Sequence, residues 1–201
     1  VPMAPTAVLR DPSAELIVDM TFPVAAKVLS ADLPHKTEAG AVALNIPDRA
    51  ALKEQARIIW DAARTHAPEA QLDGILVQPM VSGLTEVLVG YRRDPETGPM
   101  VVLGIGGVLA EIYGDAAIRP APIDTATACE MINEVRGLAP IRGYRNMPRG
   151  DLDALAQVVA TVSRLATIEC PCILEAEINP LCVAKAGAGV LAVDALVRLT
   201  P

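Results

Sequence analysis

The sequence predicts an α+β fold, and three observations predict it. Strand-length apolar runs are joined by turn chemistry into at least one hairpin. Helical stretches stand among those strands without the strict strand–helix alternation that builds a parallel sheet. The core-forming residues are almost all aliphatic: 52% of the 201 residues are hydrophobic, yet there are only one Trp, three Tyr and one Phe. This length suits one large domain or two small lobes.

Residues 24–29 (VAAKVL) follow Pro23 and read as a strand that contains a lysine. Residues 30–40 (SADLPHKTEAG) are polar, carry Pro and Gly, and read as a loop. A strand over 41–46 comes next. Asp48 can then cap a helix to His66, with Leu52, Ala56, Ile59 and Ala63 at one-face spacing. Residues 74–80 (GILVQPM) form another apolar strand. Residues 86–93 and 100–105 flank DPETG, strong turn chemistry that predicts a hairpin. Two further strands are expected at 108–112 and 116–121. A helix over 124–136 should end at Gly137, and residues 142–149 form a basic loop. Asp151 caps a long helix to Ile168 with Leu152, Leu155, Val158, Val159, Val162 and Leu165 as its apolar stripe. Two strands, EAEINPL and GVLAVDALV, close the chain. No internal repeat is present.

Charge and pattern exclude some functions. A net charge of -7 argues against a nucleic-acid groove, which needs clustered Lys and Arg. No apolar run reaches about 18 residues, so no membrane span is expected. The start lacks a signal-peptide pattern, and a cytoplasmic location follows as the expectation. Cys129, Cys170, Cys172 and Cys182 lack paired zinc spacing, and Cys170-Pro171-Cys172 is too tight for an ordinary disulfide. They read as reduced, small apolar fillers.

Several residues could carry chemistry. Glu177 and Asn179 stand two apart on a strand, hence on one face. With Asp194 in the next run they offer oxygens that suit Mg²⁺; solvated acids on a strand edge would look the same. Lys27 is either a solvent-facing lysine of an edge strand or a fixed cation for a phosphate. Gly104, Gly106 and Gly107 follow a strand and could expose N–H donors to an anion, or simply make a tight turn. Glu111, Asp115 and Arg119 come just after; alternation puts Asp115 and Arg119 on one face, where an ion pair would contribute little. His35 is either an exposed loop histidine or a nucleophile able to hold and pass on a phosphoryl group. His66, near a helix C-terminus, suits the helix dipole.

In order, FPVAAKVLSADLPHKTEAG, ILVQPMV, EVLVGYRRDPETGP, GIGGVLAEIYGDAAIRPAPI, GYR, EAEINPL and AVDA resemble the ATP-grasp domain of the ADP-forming acyl-CoA synthetases, whose best-known members make acetyl-CoA. A more distant similarity to the nucleotide-binding subunit of succinyl-CoA synthetase rests on EINPL and the later Asp. The resemblance runs over nearly the whole chain. It implies two α+β lobes, residues 1–76 and 77–201, clamping ATP or ADP with Mg²⁺. It implies Lys27 on the phosphates, the main chain of Val77, Gln78, Pro79 and Met80 on adenine, and Gly104, Gly106 and Gly107 near the phosphates. Glu86 would match the acid before the family's V-G-x-x-R-D stretch, and Glu111 and Arg119 would line the site. Glu86 and Arg119 would be catalytic with His35, the transient phosphate carrier, while Asn179 and Asp194 would bind magnesium with Glu177 close by.

It also implies partners: CoA-binding and ligase domains that this chain lacks, together with a first helix before Val1. The chain is therefore expected to be one subunit or a piece of a longer polypeptide. Gly40 is followed by Ala41 where the family has a second glycine. Two other readings differ in mechanism: a nucleotide-binding regulatory module of a protein lysine acetyltransferase, and an ATP-grasp ligase without phosphohistidine.

Overall fold

A computed structural model describes residues 1–15, 17–33, 36–107, 114–169 and 172–200. These residues form two compact units, one of residues 4–80 and one of residues 1–3 with 81–201. The division follows Met80, so the strand at 74–79 belongs whole to the first unit, four residues later than the expected lobe boundary at 76.

The first unit is a four-stranded antiparallel sheet of order β1-β4-β2-β3, built from β1 (Ala7–Leu9), β2 (Val24–Leu29), β3 (Val42–Ile46) and β4 (Gly74–Pro79). Helix α1 (Arg49–His66) starts where Asp48 Oδ1 accepts the Ala51 N–H at 2.9 Å. Its buried residues Leu52, Ala56, Ile59 and Ala63 pack with Val24, Ala26, Val28, Ile75 and Val77 of the sheet. Alternation then puts Ala25, Lys27 and Gln78 on the sheet face turned away from this cluster. Ala41 is fully buried in the same cluster. Its N–H donates to Lys36 O at 2.9 Å and its carbonyl accepts from Val28 N at 3.0 Å, so the methyl that replaces a family glycine fills core space. The strand expected over 41–46 forms from Val42. β1 was not expected: at three residues it is too short to show a period.

The second unit is an antiparallel sheet of order β10-β8-β5-β6-β7, with β9 also on β8. Its strands are β5 (Thr85–Asp94), β6 (Gly98–Ile105), β7 (Ala116–Pro120), β8 (Ile173–Val183), β9 (Val190–Ala192) and β10 (Ala195–Leu199). Asp94 Oδ1 accepts from the Glu96 and Thr97 N–H groups at 2.9 Å each and closes the expected hairpin. Helices α2 (Thr125–Glu134) and α3 (Leu152–Ser163) bury Met131, Ile132, Leu155, Val158 and Val159 against Val87, Val89, Tyr91, Val101 and Leu103.

Four expectations differ from what forms. α2 stops at Glu134, and Gly137 lies in a 3₁₀ turn, Arg136–Leu138; it is no left-handed cap. The reason is the Asp115 carboxylate, which accepts both the Arg136 and Gly137 N–H groups. α3 gives way at Arg164 to a 3₁₀ turn, Arg164–Thr167. The closing run divides into β9 and β10 at Val193–Asp194, where the Val193 N–H donates to Pro180 O at 3.0 Å. The basic loop starts at the end of a 3₁₀ turn, Pro140–Arg142, and contains a second, Tyr144–Asn146. The strand expected at 108–112 lies outside the described residues. No described helix is long and apolar enough to cross a membrane.

Candidate functional site

The chemistry-bearing residues of the second unit gather on the sheet face turned away from α2 and α3. On β5 the core takes Val87, Val89 and Tyr91, so Glu86, Leu88 and Gly90 point the other way. On β8 the core residues change parity, from Ala176 and Ile178 to Leu181 and Val183. The cause is a bulge: Val87 pairs with Leu181 and Val89 with Ile178, so β8 carries one extra residue there. Asn179 and Pro180 occupy it, and bulges commonly re-aim side chains. Glu177 and Asn179 share the outward face, as their spacing implies.

Asn179 joins three segments. Its side-chain Oδ1 accepts the Gly107 N–H at 3.2 Å. Its own N–H donates to Asp194 O at 3.1 Å, and the Asp194 Oδ1 accepts the Ala195 N–H at 2.9 Å. The glycine turn, EINPL and the later aspartate therefore meet. Glu177 pairs with Gly90 on one side and Leu196 on the other.

The glycines of the turn stand there for different reasons. A Cβ on Gly106 would lie 2.7–2.9 Å from the main chain of Val87, and the Gly106 N–H donates to Glu86 O at 2.9 Å. Gly107 has φ +77°, and a Cβ there would lie 2.9 Å from Glu86 Oε2. Gly104 pairs with Leu88 and Ala116, and its added Cβ would press on Ala116 Cβ at 3.3 Å. Gly90 is different: its added Cβ would meet neighbours at 3.6 Å or more. The fold has room for a Cβ at Gly90, beside Leu88 on the outward face.

Arg119 lies on β7. It pairs with Val101 and shares a face with buried Ala117, so it lies on the helix side of the sheet. Its guanidinium binds Glu134 Oε2 at 2.6 Å, away from Glu86, Gly107 and Asn179. Asp115 shares that face, as alternation implied, but its partners are main-chain N–H groups of residues 136 and 137. Glu111 and His35 lie outside the described residues.

In the first unit, Lys27 is 8% exposed and pairs with Leu76 and Val42. It stands on an interior strand, so it is not a solvent-facing lysine of an edge strand. Val77 is a core side chain, whereas β1 pairs only with residues 75–77 of β4. The edge of β4 at Gln78, Pro79 and Met80 thus runs past β1, with the Met80 N–H turned to Pro23 O at 2.9 Å.

Cys182, expected as a reduced filler, is free and buried opposite Glu86, and burial followed by the Glu86 charge pushes its thiol above the ordinary value. No group of three or more His, Cys, Asp or Glu able to hold a metal occurs among the described residues. Mg²⁺ is commonly held by one or two protein oxygens with substrate phosphates rather than by an all-protein cage, and Asn179 and Asp194 carry side-chain oxygens of that kind.

Comparison with known proteins gives a family model described as ATP-grasp domain that matches residues 1–199. The chain is 36% identical over 191 residues to an ADP-forming acetate–CoA ligase I of Archaeoglobus fulgidus, covering 94% of this chain and 28% of that protein. It is 37% identical over 177 residues to the beta subunit of the ADP-forming acetate–CoA ligase I of Pyrococcus furiosus, covering 88% of this chain and 75% of the subunit. The chain thus spans about a quarter of the first relative and three quarters of the second. Among solved structures, acetyl-coenzyme A synthetase 1 of Ca. Korarchaeum cryptofilum with coenzyme A and Ca-AMPCP superposes with TM-score 0.88 at 28% identity, over 99% of this chain and 86% of that one. A second structure of that synthetase, with Mg-AMPPCP and its phosphohistidine segment pointing towards the nucleotide site, gives 0.77 at 26%, over 99% and 85%.

Proposed function

The chain belongs to the ATP-grasp domain family, and from that premise we propose that it is the ATP-binding, histidine-phosphorylating part of an ADP-forming acyl-CoA synthetase. The observation that carries the reading is the meeting of Gly107 with Asn179, 72 residues away in sequence, and of Asn179 with Asp194. Moving a phosphoryl group requires positioning and charge neutralisation more than covalent chemistry from the protein. The main-chain N–H groups of Gly106 and Gly107 tie the turn to Glu86 O and to Asn179 Oδ1, which holds the turn and Asn179 together. Asn179 and Asp194 would hold Mg²⁺, with Glu177 beside them, and the ion would supply Lewis-acid neutralisation of phosphate charge. Glu86 borders the turn. Lys27 would hold a phosphate oxygen, and the main chain of Val77, Gln78, Pro79 and Met80 would meet adenine. Glu111 keeps its role from the resemblance.

In the first step a ring nitrogen of His35 attacks the γ-phosphorus of ATP. A P–N bond forms, the bond to the β-phosphate oxygen breaks, and ADP leaves. The group then passes to an acid at CoA-binding and ligase domains, where CoA displaces phosphate. The sum is acid + CoA + ATP ⇌ acyl-CoA + ADP + phosphate. Those domains, a subunit as in the Pyrococcus relative or part of one chain as in the Archaeoglobus relative, are the partners. A cytoplasmic location completes the reading. The relatives are named as ligases, which disfavours the regulatory-module alternative. The test is acid-labile label from γ-labelled ATP and Mg²⁺ with the partner domains present. Wild type should label and His35→Asn should not; equal labelling of both removes the carrier role.

A further inference from the structure

We infer that Asp115 is a positioning residue for the glycine turn, and this rests on the nucleotide-site reading above. Its main-chain carbonyl accepts the Ile105 N–H at 3.4 Å, at the last residue before Gly106. Its carboxylate reaches the other way: Oδ1 accepts the Arg136 N–H at 3.1 Å and Oδ2 the Gly137 N–H at 2.6 Å. These bonds stop α2 and draw Gly137 against the β6 end. An added Cβ on Gly137 would overlap the Ile105 side chain at Cδ1 and lie 3.2 Å from Asp115 Oδ2. Ile105 is therefore held from two sides, by the Asp115 carbonyl and by the bare surface of Gly137.

The consequence travels one residue further. Ile105 leads into Gly106, whose N–H bonds Glu86 O, and Gly107, whose N–H bonds Asn179 Oδ1 at 3.2 Å. Asp115 touches none of these site residues. It fixes the strand end from which they start, from the opposite side of the sheet. A turn displaced by a fraction of an ångström disturbs Asn179, which it binds, and positioning of that order matters to phosphoryl transfer.

The experiment compares Asp115→Ala, Asp115→Asn and Asp124→Ala. Asp124 caps the other end of α2 through the Thr127 N–H at 2.8 Å, so its loss weakens the same helix without touching residues 136–137. Binding of Mg-ADP is measured by calorimetry, and amide exchange at Gly107 by NMR. Asp115→Ala should weaken Mg-ADP by about tenfold and speed Gly107 exchange by a similar factor. Asp115→Asn, which keeps one acceptor oxygen, should recover part of both. Asp124→Ala should change neither by more than about twofold. Equal effects of Asp115→Ala and Asp124→Ala, or unchanged Gly107 exchange in Asp115→Ala, would overturn the positioning role. Wild type that binds no Mg-ADP would sink the nucleotide reading instead, and Gly107 exchange would still decide the role of Asp115.

Discussion

Replacing Gly106 by alanine separates two reasons for a glycine in this turn. The added methyl would lie 2.7, 2.8 and 2.9 Å from the carbonyl carbon, oxygen and nitrogen of Val87. These are main-chain atoms of a strand paired on both sides, and they cannot rotate away. The turn must back off, which stretches the Gly106 N–H bond to Glu86 O. Overpacking costs about 1–3 kcal/mol, and the lost hydrogen bond adds about 0.5–1.5 kcal/mol. A loss of roughly 2–4 kcal/mol, at about 4 °C per kcal/mol for a unit of this size, lowers Tm by roughly 8–15 °C.

Gly107→Ala meets a different obstacle. Its φ of +77° costs an L-residue about 1–2 kcal/mol, and the atom in its way is the end of the flexible Glu86 side chain. It should destabilise less, yet displace Glu86 and turn the N–H off Asn179. Thermal unfolding and Mg-ADP titration of both variants check this. Gly106→Ala should fall further in Tm, and Gly107→Ala should lose affinity out of proportion to its stability. A Gly106→Ala chain melting within about 2 °C of wild type would refute the close approach.

Lys27→Met should weaken Mg-nucleotide binding by more than about tenfold in calorimetry, because the side chain keeps its length and loses its charge; intact affinity would refute the phosphate-holding role. Iodoacetamide at neutral pH should label exposed Cys129 and spare Cys182, whose thiol is held up by burial and the Glu86 charge; peptide mass spectrometry reads the ratio. Asp151 accepts the Ala154 and Gly189 N–H groups, which lower its pKa below the ordinary 3.8. Its contribution is therefore complete above the ordinary value and disappears as pH falls through the lower folded value. The melting curves of wild type and Asp151→Asn should lie apart at pH 7 and converge as pH falls through the lowered folded value of Asp151.

Local chemistry made much of the fold legible. Asp48 and Asp151 act as caps because a carboxylate before an apolar period has N–H groups to satisfy, and α1 buries Leu52, Ala56, Ile59 and Ala63 at the spacing the helix imposes. DPETG closes its hairpin through Asp94 for the same local reason. Ordered motifs likewise made Lys27, the glycine turn, Asn179 and Asp194 stand out. Long-range pairing decided the rest. The break of the last run at Asp194 follows from bonds to residues 179 and 180, and the end of α2 from Asp115, about twenty residues away along the chain. Arg119 could be assigned to a face only once β6 and its neighbours fixed which face carries the helices. Alternation tells a strand that it has two sides; only packing says which of them is buried, and hence which residues remain to meet a ligand.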